Sequence, residues 1–139
     1  YHFRVTNGLL YGNKDYHRFG HRDSARCERC LFDRQDSYHT LWDCPATKAF
    51  RRRLASLKPE WNFSKKQAFL GTSNMSETYI SLCINIYLYR SNFYNKTLSI
   101  TGFKAELANN FYVEKAIAKR TGKLRQHERK WSPISMFLQ

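Results

Sequence analysis

Residues 27–44 read CERCLFDRQDSYHTLWDC, and these eighteen positions hold three of the chain's four cysteines together with a histidine. Written as a pattern, Cys27, Cys30, His39 and Cys44 form Cys-x2-Cys-x8-His-x4-Cys. Tetrahedral zinc sites take thiolate and imidazole ligands that arrive as two close pairs joined by a longer loop. Both pairs are present, and three soft thiolates with one imidazole favour Zn over Mg or Ca. All four positions of such a tetrahedron are filled by protein, leaving none for a catalytic water. The expected site is therefore structural and holds the chain around it. Two other readings stand behind this one. Disulfides would leave an odd cysteine in the cluster, and the remaining one, Cys83, lies among the apolar residues of YISLCINIYLY and reads as core. A chance grouping of buried cysteines is the third.

At 139 residues the chain suits one domain with a real core. The expected organisation is a single nucleic-acid-binding domain over 1–139, with the knuckle and its following basic helix at 20–57 and a helical core with basic tail at 73–131. The chain opens at Tyr1 without an initiator Met, which fits a segment of a longer protein. Two short helices are expected at 2–10 and 13–19. Asp36 and Ser37 can cap a short helix carrying His39, and Pro45 suits the first turn of the next, where Phe50, Leu54 and Leu57 recur at helical spacing. The stretch 57–76 reads as a connection with a single helical turn. SETYISLCINIYLYRSNFY is apolar on most sides and should be the central helix, with Tyr79, Ile80, Cys83, Ile84, Tyr87 and Leu88 on one face. Ile100, Phe103, Leu107, Phe111 and Ile117 make an amphipathic stripe on the next helix, which Gly122 interrupts. In the last segment Trp131 is the anchor and Pro133 the stop. With no strand alternation, the fold class is mainly α, a small helical domain around one Cys-Cys-His-Cys knuckle.

Lys and Arg number 24 against 11 Asp and Glu, a net charge of +13. A surplus of this size in a small domain points to a polyanionic partner. The most apolar stretch is too short to span a bilayer, so no membrane role is expected. Lys48, Arg51, Arg52 and Arg53 form one cationic run and Lys115, Lys119, Lys123 and Arg125 belong to another; few acids accompany either, so both are candidate phosphate contacts rather than ordinary solvated faces. Arg26 and Arg29 beside the first cysteine pair either offset thiolate charge or contact phosphate. Phe32 and Tyr38 are candidates for stacking on unpaired bases, whereas Trp42 reads as packing beside Leu41. No nucleophile elbow, Gly-rich phosphate loop or carboxylate pair appears, so no catalytic residue is assigned.

CERC, eight residues, then HTLWDCPATKAFRRRL resembles the zinc-knuckle segment near the C-terminus of LINE-type, non-LTR retrotransposon reverse transcriptases. LLYGNKDYHRFGHRDSARC resembles the helix pair leading into that knuckle. VEKAIAKRTGKLRQHERKW is similar to the family's tail, with Glu114, Ile117, Ala118, Lys123 and Trp131 at its repeated positions. Phe50 stands where the family often has Trp. The resemblance implies a non-catalytic accessory domain that helps hold the element RNA during target-primed reverse transcription. Its partners would be RNA, with DNA as a second polyanion, and the rest of the reverse transcriptase; its location would be intracellular, in a cytoplasmic ribonucleoprotein and the nucleus. The alternative is a protein-interaction module docking on the polymerase or a host factor. A nuclease fragment ranks last, since no carboxylate set supports it.

Overall fold

The computed structural model describes residues 12–22, 24–31 and 35–139, and among these the protein is mainly α-helical with no strand. Helix α1 (Asn13–Arg18) precedes the cysteine loop. A π-helical turn (His39–Asp43) leads into α2 (Pro45–Leu57), and a 3-10 turn (Pro59–Trp61) leads to α3 (Lys65–Leu70). The long helices α4 (Met75–Phe93) and α5 (Ile100–Thr121) follow, then α6 (Leu124–Ser135) and a closing 3-10 turn (Met136–Leu138). The expected helix at 2–10 lies outside the described residues; the one at 13–19 is α1.

Helix starts follow local chemistry. Ser64, Asn74 and Ser99 cap α3, α4 and α5 by accepting the backbone N–H of Gln67, Glu77 and Gly102. At the other end of α5, Gly122 adopts φ 70°, the left-handed conformation that terminates a helix at little cost for glycine.

One apolar cluster runs from Leu41 to Phe137, and α4 lies at its centre, touching the π-turn and helices α3, α5 and α6. Its polar residues face inward to partners. Ser81 Oγ and Asn85 Nδ2 both donate to Ala68 O at the end of α3 (3.2 and 2.8 Å), and Asn92 bonds Gln35 of the cysteine loop. Cys83 is buried in the same face, as expected of a core residue, and burial pushes its thiol up to about 11. The carboxylate of Glu114 ties three helices together: Oε2 accepts from Trp131 Nε1 (2.7 Å), Oε1 from Tyr79 OH (2.9 Å), and Lys130 Nζ lies 3.3 Å from both oxygens.

Four expectations need correction. Ile117 is exposed, because the buried face of α5 passes from Phe103 and Leu107 through half-buried Phe111 and Glu114 to Ala118, one position round from Ile117. Leu57, at the end of α2, is likewise exposed while Phe50 and Leu54 are buried. Pro133 does not stop α6; its missing N–H costs one bond in the last turn, and burial of Ile134 and Phe137 keeps the chain on a helical course past it. Residues 57–76 hold a 3-10 turn and a helix rather than one turn, and Trp61, Phe63, Ala68 and Phe69 from this stretch belong to the main core. The core therefore bridges the two parts expected at 20–57 and 73–131.

Replacement of Glu114 by Ala removes the acceptor of a buried indole N–H and of Lys130. The expected loss is about 2 kcal/mol of unfolding free energy, the scale of leaving such donors without partners. Urea denaturation checks this, and a change under about 0.5 kcal/mol would show that these bonds do not hold α4, α5 and α6 together.

Candidate metal centre

The four residues singled out by spacing meet in the fold. Their ligand atoms all lie within 4.8 Å of one another, forming a group able to hold a metal ion, and all the cysteines are free thiols. Cys27, Cys44 and His39 are buried and Cys30 is half-buried. The Cys27 and Cys44 sulfurs are 3.8 Å apart, and Cys30 Sγ is 3.3 Å from His39 Nε2. A tetrahedron with metal–sulfur bonds of about 2.3 Å has a sulfur–sulfur edge of roughly 3.8 Å, so the donor set matches a metal of zinc's size.

Each pair is positioned by a local device. After Cys27 the chain turns back through a Leu31 N–H bond to Cys27 O (2.8 Å), with Leu31 itself at φ 62°. His39 and Cys44 are five residues apart, which would leave them about 140° apart round an α-helix. The π-turn removes this offset: Cys44 N–H bonds His39 O at 2.8 Å, the i to i+5 closure that brings the two ligands together. Asp36 caps the turn by accepting His39 N–H (2.8 Å). Two carbonyls that the wide turn leaves over are taken by α2. Thr47 Oγ1 donates to Thr40 O (2.6 Å), and Arg51 donates from Nε and Nη2 to Leu41 O (3.1 and 2.8 Å).

Behind the ligands lies Gln35, which is fully buried. Its Nε2 donates to Cys27 Sγ (3.4 Å) and to Asn92 Oδ1 on α4 (2.8 Å), while its Oε1 accepts from Asn92 Nδ2 and from the backbone N–H of Asn13. Gly12 packs so closely here that a Cβ would come within 2.7 Å of Gln35 O and the Asp36 backbone. Cys27 is held below the usual thiol range by the hydrogen bond from Cys44, assisted by the backbone N–H groups of Arg29 and Cys30. Cys44 supplies that bond and is pushed upward. Binding of a dication at these ligands would displace the protons of the ligating thiols.

The cationic candidates divide. Arg29, half-buried, donates to Lys96 O (3.1 Å); burial lowers its pKa while the Cys44 and Cys27 sulfurs act to raise it, as charge balance for the ligands requires. Arg26 is exposed. Arg51, half-buried, has structural partners that the phosphate expectation did not foresee: its guanidinium donates to Leu41 O and to Asn85 Oδ1 (2.7 Å) and lies 4.8 Å over the Trp42 ring, at the side of a groove shared with Lys48 and Arg52. Lys48, Arg52 and Arg53 are exposed on α2, and Arg53 shares a groove with Arg29 and Lys96. Lys119, Lys123 and Arg125 line a second groove with Arg129 at the junction of α5 and α6, while half-buried Lys115 lies 5.8 Å from the Phe111 ring. Tyr38 is half-buried with its ring edge-on to Phe69. Phe32 lies outside the described residues. Spacing gave no sign of Gln35, a lone amide in a polar loop, nor of Lys96.

Gln35→Leu keeps much of the volume but removes the donor to Cys27. Partners of this kind are worth 10- to 100-fold in metal affinity, so competition with a chromophoric chelator should show zinc held about tenfold more weakly or worse. Unchanged affinity in a folded variant would reduce Gln35 to packing.

No family model, curated protein or solved structure matches this chain, so its function is read from its own residues.

Proposed function

We propose that the chain is a zinc-stabilised RNA-binding module without catalytic activity of its own, the C-terminal accessory domain of a LINE-type reverse transcriptase, which holds element RNA during target-primed reverse transcription. Zinc is favoured by the donors themselves: three sulfurs and an imidazole within 4.8 Å of one another, three of the four residues buried. Bound there, the ion would cross-link the cysteine loop to the start of α2 and carry no chemistry further.

The observation that carries the RNA reading is the distribution of charge. Asp15, Glu28, Glu60, Glu106 and Glu114 are already paired, with Arg18, Arg22, Lys58, Arg90 and Lys130. Lys48, Arg52 and Arg53 on α2, and Lys119, Lys123, Arg125 and Arg129 at the α5–α6 junction, have no carboxylate partner among the described residues. Unbalanced cations gathered into grooves are what a phosphate backbone requires. Among the described residues no helix is long and apolar enough to cross a membrane. A second reading has its own observation. Tyr112, Val113 and Ile117 are exposed on α5, an apolar strip that fits docking on the polymerase or another protein.

Freshly purified chain should carry about one zinc per molecule by elemental analysis. Its affinity for RNA should fall steeply with salt, and replacing Lys119, Lys123 and Arg125 by Ala should reduce the slope of log K against log salt by about 0.7 to 0.9 for each phosphate no longer neutralised. Less than about half an equivalent of metal argues against the closed site. Salt-independent RNA binding, or none, moves the docking reading ahead.

A further inference from the structure

A groove that the metal site does not use lies along one flank of α2. Trp42 of the π-turn and Trp61 and Phe63 beyond α2 form its aromatic walls, Lys48 and Arg52 stand at its side with the guanidinium of Arg51 between them and Trp42, and Asn62 completes it around a volume of about 290 Å³. This is near the lower bound for small-molecule sites, roughly 300 Å³, with room for one planar ring system.

The walls are held from behind. Trp61 is buried with its ring edge-on to Phe137 at 4.9 Å. Trp42, half-buried, is fixed by the Arg51 guanidinium, which is itself locked between Leu41 O and Asn85. Such walls need little ordering when a flat ligand enters. The polar groups are less committed. Lys48 and Arg52 are one turn apart, exposed and in no ion pair among the described residues, with Arg52 Nε reaching only the Lys48 carbonyl at 3.4 Å. Exposed Asn62 makes no side-chain hydrogen bond among the described residues. Aromatic walls call for a planar ring, two unpaired cations for an anion beside it, and an amide for a ring edge with both donors and acceptors.

Resting on the nucleic-acid reading above, we propose that this groove takes one unpaired nucleotide of a single-stranded polynucleotide. Its base lies against the half-exposed indole of Trp42, with buried Trp61 as the floor of the groove, its phosphate on Lys48 and Arg52, and its edge is read by Asn62. A paired base cannot enter, because its faces are covered by its neighbours in the stack. An acidic peptide would use the cations and leave the indoles idle.

The test uses the zinc-loaded full chain with fluorescent oligomers of about six nucleotides, rU, rA and dT, and an RNA duplex, within the site sizes usual for single strands. Trp42→Leu should weaken single-strand binding about 5- to 150-fold, the scale of removing one stacking platform, and leave duplex binding within about twofold. Asn62→Ala should narrow the difference between rU and rA. Preference for rU over dT identifies the strand as RNA, and the reverse identifies it as DNA; either supports the site. Should Trp42→Leu fail to fold by circular dichroism, photocrosslinking of a 4-thiouridine oligomer to the parent chain decides: adducts on the peptides carrying Trp42 or Trp61 support the site, and adducts only elsewhere overturn it. A folded Trp42→Leu that binds single strands like the parent, or competition by polyglutamate with no crosslink in the groove, overturns the nucleotide site while RNA binding by the parent stands. A parent chain that binds no oligomer overturns both.

Discussion

The amide of Gln35 is where the two halves of this protein meet. One of its hydrogens faces the sulfur of Cys27, and the same nitrogen and its oxygen reach Asn92 on the central helix. Among the described residues the main core cluster runs from Leu41 onward, and the cysteine loop lies beside it. Directional contacts hold it there: Gln35 on Asn92, Gly12 pressed against the loop backbone, and Arg51 joining the π-turn to Asn85. Gln35, Asn85 and Asn92 are buried, so each carries a large penalty if its partner is removed. A metal among the four ligands would fix the loop from within while these bonds fix it from outside.

The same economy governs the charge. Arg29 lies beside the sulfurs and donates to Lys96 O, half-buried Arg51 is bonded to Leu41 O and Asn85, and Lys130 serves Glu114, so part of the cationic surplus has partners within the fold. Of the rest, Lys48, Arg52 and Arg53 on α2 and Lys119, Lys123, Arg125 and Arg129 at the α5–α6 junction form two groups, while Lys14, Lys65, Lys66, Lys96 and Lys104 are spread over other elements. A net charge of +13 in 139 residues opposes compaction through self-repulsion. A polyanion bound to those two surfaces would relieve that repulsion, which is why the partner is sought there and not at the metal.

Much of this was legible in the sequence, and the failures have identifiable causes. The ligand set was readable because metal chemistry restricts both residue type and spacing. The central position of α4 followed from apolar residues on most of its sides, and Pro45 and Gly122 marked helix ends. The partners of Arg51 were not foreseen because a cation among cations carries no local sign of them; its role comes from carbonyls that only the wide π-turn leaves over. The Ser64–Gln67 capping box marks α3, but Pro59 and Gly71 on either side suggested a connection with a single helical turn. Pro133 and Ile117 were decided by which face of α5 and α6 met the core, a tertiary matter that periodicity alone does not settle.

The most direct test of the account titrates metal-free chain with cobalt(II), which takes zinc's coordination and reports it in visible absorption, while hydrogen exchange follows residues 35–57. The account predicts saturation at about one equivalent, the intense d–d bands of a tetrahedral site with thiolate charge-transfer absorption, and protection of the π-turn and α2 rising in step with them. Weak octahedral absorption, or protection of 35–57 that is complete before any metal is added, would contradict it.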